Sequence, residues 1–266
     1  MQSAINFFRQ IGEKRYLLYQ LVKRDLVSKY VDSYLGLTWS ILEPLATTVI
    51  LSAIFKFGFK SGLVQDIPFF LYMFSGMVAF NFFSTGLSEG TNVIRNYSFL
   101  VKKVDFRLSL LPVVKNISCS IFHVIMVSLL IIALMIHGYY PSWYWFQFLY
   151  YFFAMNVLVL GVSWMTSAIS IFVPDISRLI SICLQFLFYL SPVFWSMSNI
   201  PEKWAIYFKF NPLFYIIQGY RDSFIYGKGF WDYQIETLYF WSITIFFIFL
   251  GSTVFRRLRP HFADVI

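Results

Sequence analysis

The chain has 266 residues, 59% of them hydrophobic and 22% aromatic, with only 13% charged. That is too little charge to wet the surface of a soluble domain, so the composition is that of a multi-span membrane protein. The net charge of +8 does not mark a nucleic-acid binder, because Lys and Arg are grouped between apolar runs and do not line a groove.

The N-terminal segment carries Arg9, Glu13, Lys14 and Arg15 and no sustained apolar run, so no cleavable signal peptide is expected. Leu17, Leu18, Leu21, Val22 and Leu26 recur at helical spacing between Lys14, Arg15, Lys23 and Arg24. The spacing predicts an amphipathic helix at a membrane interface, or one packed on a soluble partner; one helix can do both. Arg24 to Pro44 then passes from charged residues to an apolar stretch with no Lys or Arg between Leu35 and Lys56, about the ~20 residues that a spanning helix needs.

Apolar runs follow at about 35 to 57, 67 to 88, 109 to 137, 145 to 173, 176 to 197 and 235 to 255. Six spans put both termini on one side. Placing the termini, the loop at 89 to 108 with Lys115, and the turn near 175 on that side gathers fifteen of the 21 Lys and Arg there, which predicts that side to be cytosolic. Cys119 and Cys183 fall inside these runs without metal-ligand spacing, so neither a disulfide framework nor a zinc site is expected.

Pro174-Asp175 is a helix stop followed by a candidate N-cap and predicts a tight turn between the fourth and fifth spans. Asn199 to Tyr233 is apolar but broken. Asn199 with Glu202 has the spacing of a capping box, and Asn211-Pro212 places an N-cap before a proline at the first helical position. Two half-helices dipping into the outer leaflet are the economical expectation. No repeat or linker divides the chain, so one transmembrane domain, 1–266, is expected: a cytosolic amphipathic region at 1–34, a six-span bundle at 35–255 and a cytosolic tail at 256–266. The fold class is therefore all-α integral membrane, with a re-entrant half-helix pair between spans five and six.

Three stretches together resemble the membrane subunits of ABC-type polysaccharide exporters, the family of O-antigen, capsule and teichoic-acid permeases. The first is Arg24-Asp25-Leu26, Lys29-Tyr30, Ser33, Leu35-Gly36, Trp39 and Leu42-Glu43-Pro44. The second is Asn96 to Lys103 leading to Leu111-Pro112, and the third is Ser191-Pro192, Ile200-Pro201, Asn211-Pro212-Leu213 and Arg221. Phe106-Arg107 departs from the pattern, since proline often follows the aromatic residue there. The resemblance implies a homodimer in the cytoplasmic (inner) membrane. It also implies two ATP-binding partner subunits holding ATP and Mg, and a lipid-linked glycan as cargo.

The chain carries no phosphate-binding Gly-rich loop, so no cofactor is expected on it; Gly58-Phe59-Lys60-Ser61 is too short. With the resemblance, Tyr97, Phe99, Leu100, Lys102 and Lys103 are candidates for coupling to the ATPase, braced by Arg24 and Asp25. An ordinary basic loop would explain the charges but not the aromatic residues. Asn211, Pro212 and Arg221 are candidates for an outer gate. The aromatic cluster from Tyr139 to Tyr151 reads better as an interfacial belt than as a sugar path. Phe82, Phe83, Trp195 and Tyr215 are the candidate path residues. Among ionisable groups in apolar runs, Glu43, Lys115 and His123 require partners, and one interhelical hydrogen bond is expected for His123. An integral-membrane glycosyltransferase or acyltransferase is the alternative; it would need clustered acids or a His base, whereas Asp66, Asp175, Glu202, Asp222 and Asp232 stand singly in the sequence.

Overall fold

The computed structural model describes residues 12, 14–28, 38–58, 63–64, 67–100 and 107–265. Among them the chain is helical apart from one short antiparallel hairpin, β1 (Leu63–Val64) against β2 (Ile67–Pro68). The helices are α1 (Arg15–Ser28), α2 (Trp39–Ala53, continued by a π turn to Gly58), α3 (Phe69–Asn96), α4 (Leu111–Ile136) and α5 (Phe148–Phe172). They continue with α6 (Ile176–Leu190), α7 (Glu202–Lys209), α8 (Pro212–Arg221, continued by a π turn to Tyr226), α9 (Gln234–Leu258) and α10 (Phe262–Val265).

Among the described residues, five helical stretches are long and apolar enough to cross a membrane: Trp39–Gly58, Phe69–Asn96, Leu108–Ile136, Trp143–Phe172 and Gln234–Val265. The sixth expected span is shorter than its apolar run. α6 has 15 residues, roughly 22 Å of helix against ~30 Å of hydrocarbon. It stops because Ser191, preceding Pro192, is extended at φ −92° and ψ 144°, the conformation that a following proline imposes. α3 differs the other way: residues 89–96, expected to open a loop, complete its last turns.

Local signals account for several boundaries. Asn211 Oδ1 accepts from the Leu213 N–H at 3.0 Å and Pro212 takes the first helical position, so α8 starts as its sequence predicts. Asp175 does not cap α6: it is already helical and its side chain makes no cap bond. Ser196 instead caps the turn Met197–Asn199, and the expected Asn199–Glu202 capping box lies outside the described side chains.

α3 is the central helix, with 78% of its apolar window buried, while α2 has only 11% buried. The larger core cluster runs along α3, α4, α5 and α8. A second cluster closes one end, where Leu18, Leu21 and Val22 of α1 pack with Val93, Ile94, Leu110, Leu111, Phe255 and Phe262. The amphipathic reading of α1 thus describes a helix with one face in the protein, while Tyr16 and Tyr19 stay exposed. α7 and α8 occupy the opposite end.

α5 and α9 make the closest approach. A Cβ at Gly161 would lie 2.9 Å from the Ile248 nitrogen, and one at Gly251 would collide with the Gly161 carbonyl oxygen. Small residues at a helix crossing let backbones pack directly, which matters where lipid supplies no hydrophobic drive between helices. Gly251→Leu is therefore expected to force α9 away from α5 and cost on the order of 1–3 kcal/mol by overpacking. Gly58→Ala, where nothing lies within 4 Å, should be neutral. Thermal unfolding of the two variants in detergent checks the contrast, and equal melting temperatures would refute it.

Candidate functional site

At the α1 end, the charged residues of three helices converge. Lys115 Nζ in the first turns of α4 lies 2.8 Å from Asp25 Oδ1 on α1 and 3.0 Å from Glu89 Oε2 on α3. Asp25 and Lys115 are both buried. The Tyr97 hydroxyl also donates to Asp25 Oδ1, at 3.1 Å. Burial, and after it the Asp25 charge, pushes that hydroxyl up to about 12, so it remains a donor. The cluster answers what neutralises Lys115, and it needed Glu89, which the sequence had placed in a loop.

The expected coupling residues divide around this cluster. Asp25, Tyr97 and Leu100 point inward and are buried. Arg24 and Phe99 point outward, the guanidinium 4.9 Å from the ring centroid, and Phe99 remains 44% exposed. The expectation that Phe99 and Leu100 are both presented to a partner is therefore corrected: Leu100 belongs to the α1-end core. Lys102 and Lys103 lie outside the described residues.

At the opposite end, Arg221 is fully buried. Its Nη1 donates to the Tyr72 hydroxyl at 2.9 Å, and its Nη2 donates to the carbonyls of Tyr72 (3.2 Å) and Val193 (2.9 Å). The guanidinium also sits 3.5 Å from the Tyr72 ring centroid. No carboxylate is among these hydrogen-bond partners, so carbonyl dipoles and a ring face hold the charge. Gly76 makes the room, since a Cβ there would lie 2.9 Å from Nη2. Tyr72 passes the contact on by donating to the Trp195 carbonyl at 2.9 Å. Asn211 Nδ2 donates to Ser191 Oγ at 2.8 Å. Of the residues expected at a gate, Asn211 and Arg221 thus fasten the segment 191–195 between α6 and α7, while Pro212 opens α8.

The four candidate path residues are not brought together. Phe82 lines a cavity of about 400 Å³ between α1, α2, α3 and α4; its polar end is formed by Asp25, Glu43, Glu89 and Lys115. Tyr215 lines a smaller one of about 210 Å³ at the α8 end. Phe83 is buried, and Trp195 packs edge-on against Phe208; neither lines either cavity. His123 has its expected interhelical bond, Nε2 to the Tyr220 hydroxyl at 2.7 Å. The aromatic cluster is mixed: Tyr140, Trp143 and Phe146 are exposed, as a belt requires, while Tyr151 is buried and Trp145 packs on Phe224.

Apart from Tyr215, the sequence missed the groups around the smaller cavity. Asp222 is buried there, and burial pushes its carboxyl up to about 6. A hydroxyl chain runs from Trp241 Nε1 to Tyr150, then Tyr215, then Thr237, each step 2.9 Å. Spacing alone could not join positions 150, 215 and 241.

If Lys115 neutralises Asp25 and Glu89 together, Lys115→Met should cost on the order of 3–5 kcal/mol, the scale for stripping a buried charge of its partner. Lys115→Met combined with Asp25→Asn should cost less than the sum of the two. A double-mutant cycle on unfolding in detergent measures this, and strict additivity would show that the pair does not interact.

The profile of the ABC-2 type transporter family matches residues 16–225. An O-antigen export system permease protein RfbA from Klebsiella pneumoniae is 27% identical over 255 residues, covering 94% of this chain and 95% of that one. The protein of the same name from Myxococcus xanthus is 25% identical, over 98% and 100%. The polysialic acid transport protein KpsM of Escherichia coli is 23% identical, over 89% and 91%. These relatives bear the names of transport proteins, not of enzymes.

Proposed function

The chain belongs to the ABC-2 type transporter family, and on that premise we propose that it is the transmembrane subunit of an ATP-driven exporter. Its cargo in this reading is a lipid-linked polysaccharide of the O-antigen kind. Support comes from the near full-length similarity to O-antigen permeases; the similarity to a polysialic acid transporter keeps capsule-type glycans, and with them teichoic acids, as neighbouring cargoes. ATP and Mg would belong to a partner chain. The competing reading as a membrane glycosyltransferase or acyltransferase is less favoured: Asp25 and Glu89 are engaged by Lys115 and Glu236 by Lys209, and the described lining of the smaller cavity sets neither a histidine nor a second unpaired acid beside Asp222.

The finer architecture is part of the proposal. α6 serves as a short fifth span, α7 and α8 form the re-entrant pair at the outer face, and α1 lies at the cytosolic interface with both termini on that side. Two copies in the cytoplasmic (inner) membrane would enclose the path, since α2 with its little-buried surface has capacity for a further partner. The charge asymmetry supports the orientation.

The observation that carries the coupling role is the Arg24–Phe99 pair outside the Asp25–Lys115–Glu89 cluster. A subunit that docks on Arg24 and Phe99 pushes on α1, and the buried ion pairs transmit the push to α3 and α4 without an intervening loop. Nucleotide state can then favour one arrangement of the bundle over another only through differential contacts at that surface.

Phe99→Ala should weaken docking of the ATPase by about 2 kcal/mol, roughly thirtyfold, as loss of an aromatic anchor does. Surface glycan should fall while the permease remains in the membrane. Co-purification of the ATPase together with glycan immunoblotting reads both; wild-type values for each would remove the coupling role. Orientation is checked in spheroplasts of a variant without the native cysteines: Lys228→Cys should react with an impermeant maleimide and Asp264→Cys only after permeabilisation, and the reverse result would invert the topology.

A further inference from the structure

The smaller cavity, about 210 Å³, lies where α8 and its π turn meet the first turns of α3, α5 and α9. Its size is below the several hundred Å³ of sites for drug-sized ligands, and fits a single ring. Asp222 supplies the decisive feature. It is 1% exposed, its Oδ1 accepts from Gln218 Nε2 at 3.1 Å, and its Oδ2 is buried without a hydrogen bond of good geometry, although the Tyr233 hydroxyl acts on the same carboxyl. A buried carboxylate oxygen lacking a proper donor is one of the costliest polar groups to leave unsatisfied, and it is retained where something else supplies the donor.

The rest of the lining narrows what that donor can be. Asp222 and Glu236 are matched by Lys209 and Lys228, so the cavity has no net charge with which to select an anion or a cation. Glu236 is already engaged by Lys209 at 2.9 Å, which leaves one carboxylate, too few for a metal site. The remaining lining is largely aromatic: Tyr151, Tyr215, Tyr226, Tyr233 and Phe214 surround the space, with Tyr72 already held by Arg221 at one side. A neutral, ring-shaped molecule bearing several hydroxyls satisfies all of these conditions.

We propose that this cavity is a subsite for one neutral pyranose residue, with a sugar hydroxyl donating to Asp222 Oδ2 and the C–H face of the ring against the tyrosine wall. The assignment rests on the polysaccharide-export reading and makes it specific: one residue of the glycan is held at the α8 end, beside Arg221 and the segment that it fastens. Lys209 and Glu236 rim the mouth by tying α7 to α9. The Gln218 amide, bonded to Oδ1, holds the carboxylate still.

The experiment uses the full-length permease with its ATPase in nanodiscs and four free sugars, D-galactose, D-mannose, L-rhamnose and N-acetyl-D-glucosamine, with glycerol as control. Saturation-transfer NMR should detect at least one sugar with millimolar affinity, and Asp222→Asn should weaken it about tenfold, the effect of one lost hydrogen bond to a charged group. Because that variant could misfold, oxidative footprinting of the wild-type complex supplies a second reading: the same sugar, and not glycerol, should protect Tyr226 and Tyr233. No sugar signal above glycerol, unchanged binding by Asp222→Asn, or unprotected tyrosines would each overturn the subsite. The export reading fails separately, if deleting the gene leaves surface polysaccharide unchanged.

Discussion

A lysine ammonium in the first turns of a spanning helix must be neutralised within reach of its own side chain, and that constraint organises the α1 end of this protein. Lys115 has no acidic neighbour on α4, so its compensation has to come from other helices. It comes from two, Asp25 on α1 and Glu89 on α3, and the Tyr97 hydroxyl adds a hydrogen bond to Asp25. Removing water from three charges is costly and is offset only by close contact. α1 is thereby held against α3 and α4 by electrostatics as well as by Leu18, Leu21 and Val22. The same arithmetic explains why Glu43, close in depth but exposed on α2, faces a cavity rather than packed side chains.

The opposite end solves a related problem with different chemistry. Arg221 is as deeply buried as any residue of the core, yet its hydrogen-bond partners are two carbonyls and a phenol, and its plane lies against an aromatic face. A guanidinium tolerates this because its charge is delocalised and its donors are fixed in a plane that several acceptors can meet at once. One carbonyl comes from the first turn of α3 and the other from the chain just after α6. The short α6 and the start of α3 are thus tied together through a side chain of α8, and Asn211 at the start of α8 holds Ser191 as well.

Much of this was legible in the sequence, and the reasons are specific. The spans read clearly because runs of Ile, Leu, Phe and Val without charge have few alternatives in water or lipid. The start of α8 was readable because Asn211-Pro212 is a local signal, complete within three residues. The sequence also showed that Lys115 and His123 required partners, but not which ones. Glu89 stands 26 positions from Lys115 and Tyr220 stands 97 from His123, and no periodicity links such distances. Leu100 was misjudged as a surface knob because Lys102 and Lys103 follow it closely; the fold of Leu108–Leu110 and the last turn of α3 brings it inside. The span at 176 to 197 was overestimated because composition continues past Pro192 while the backbone cannot.

The glycine contact between α5 and α9 has a mechanical meaning. Two helices whose backbones touch have no side-chain layer to shear, so sliding or rotation between them would drive main-chain atoms into one another. They translate and tilt together or not at all. α2 stands at the other extreme, with most of its surface unclaimed by the rest of the bundle and few interlocking side chains to resist displacement.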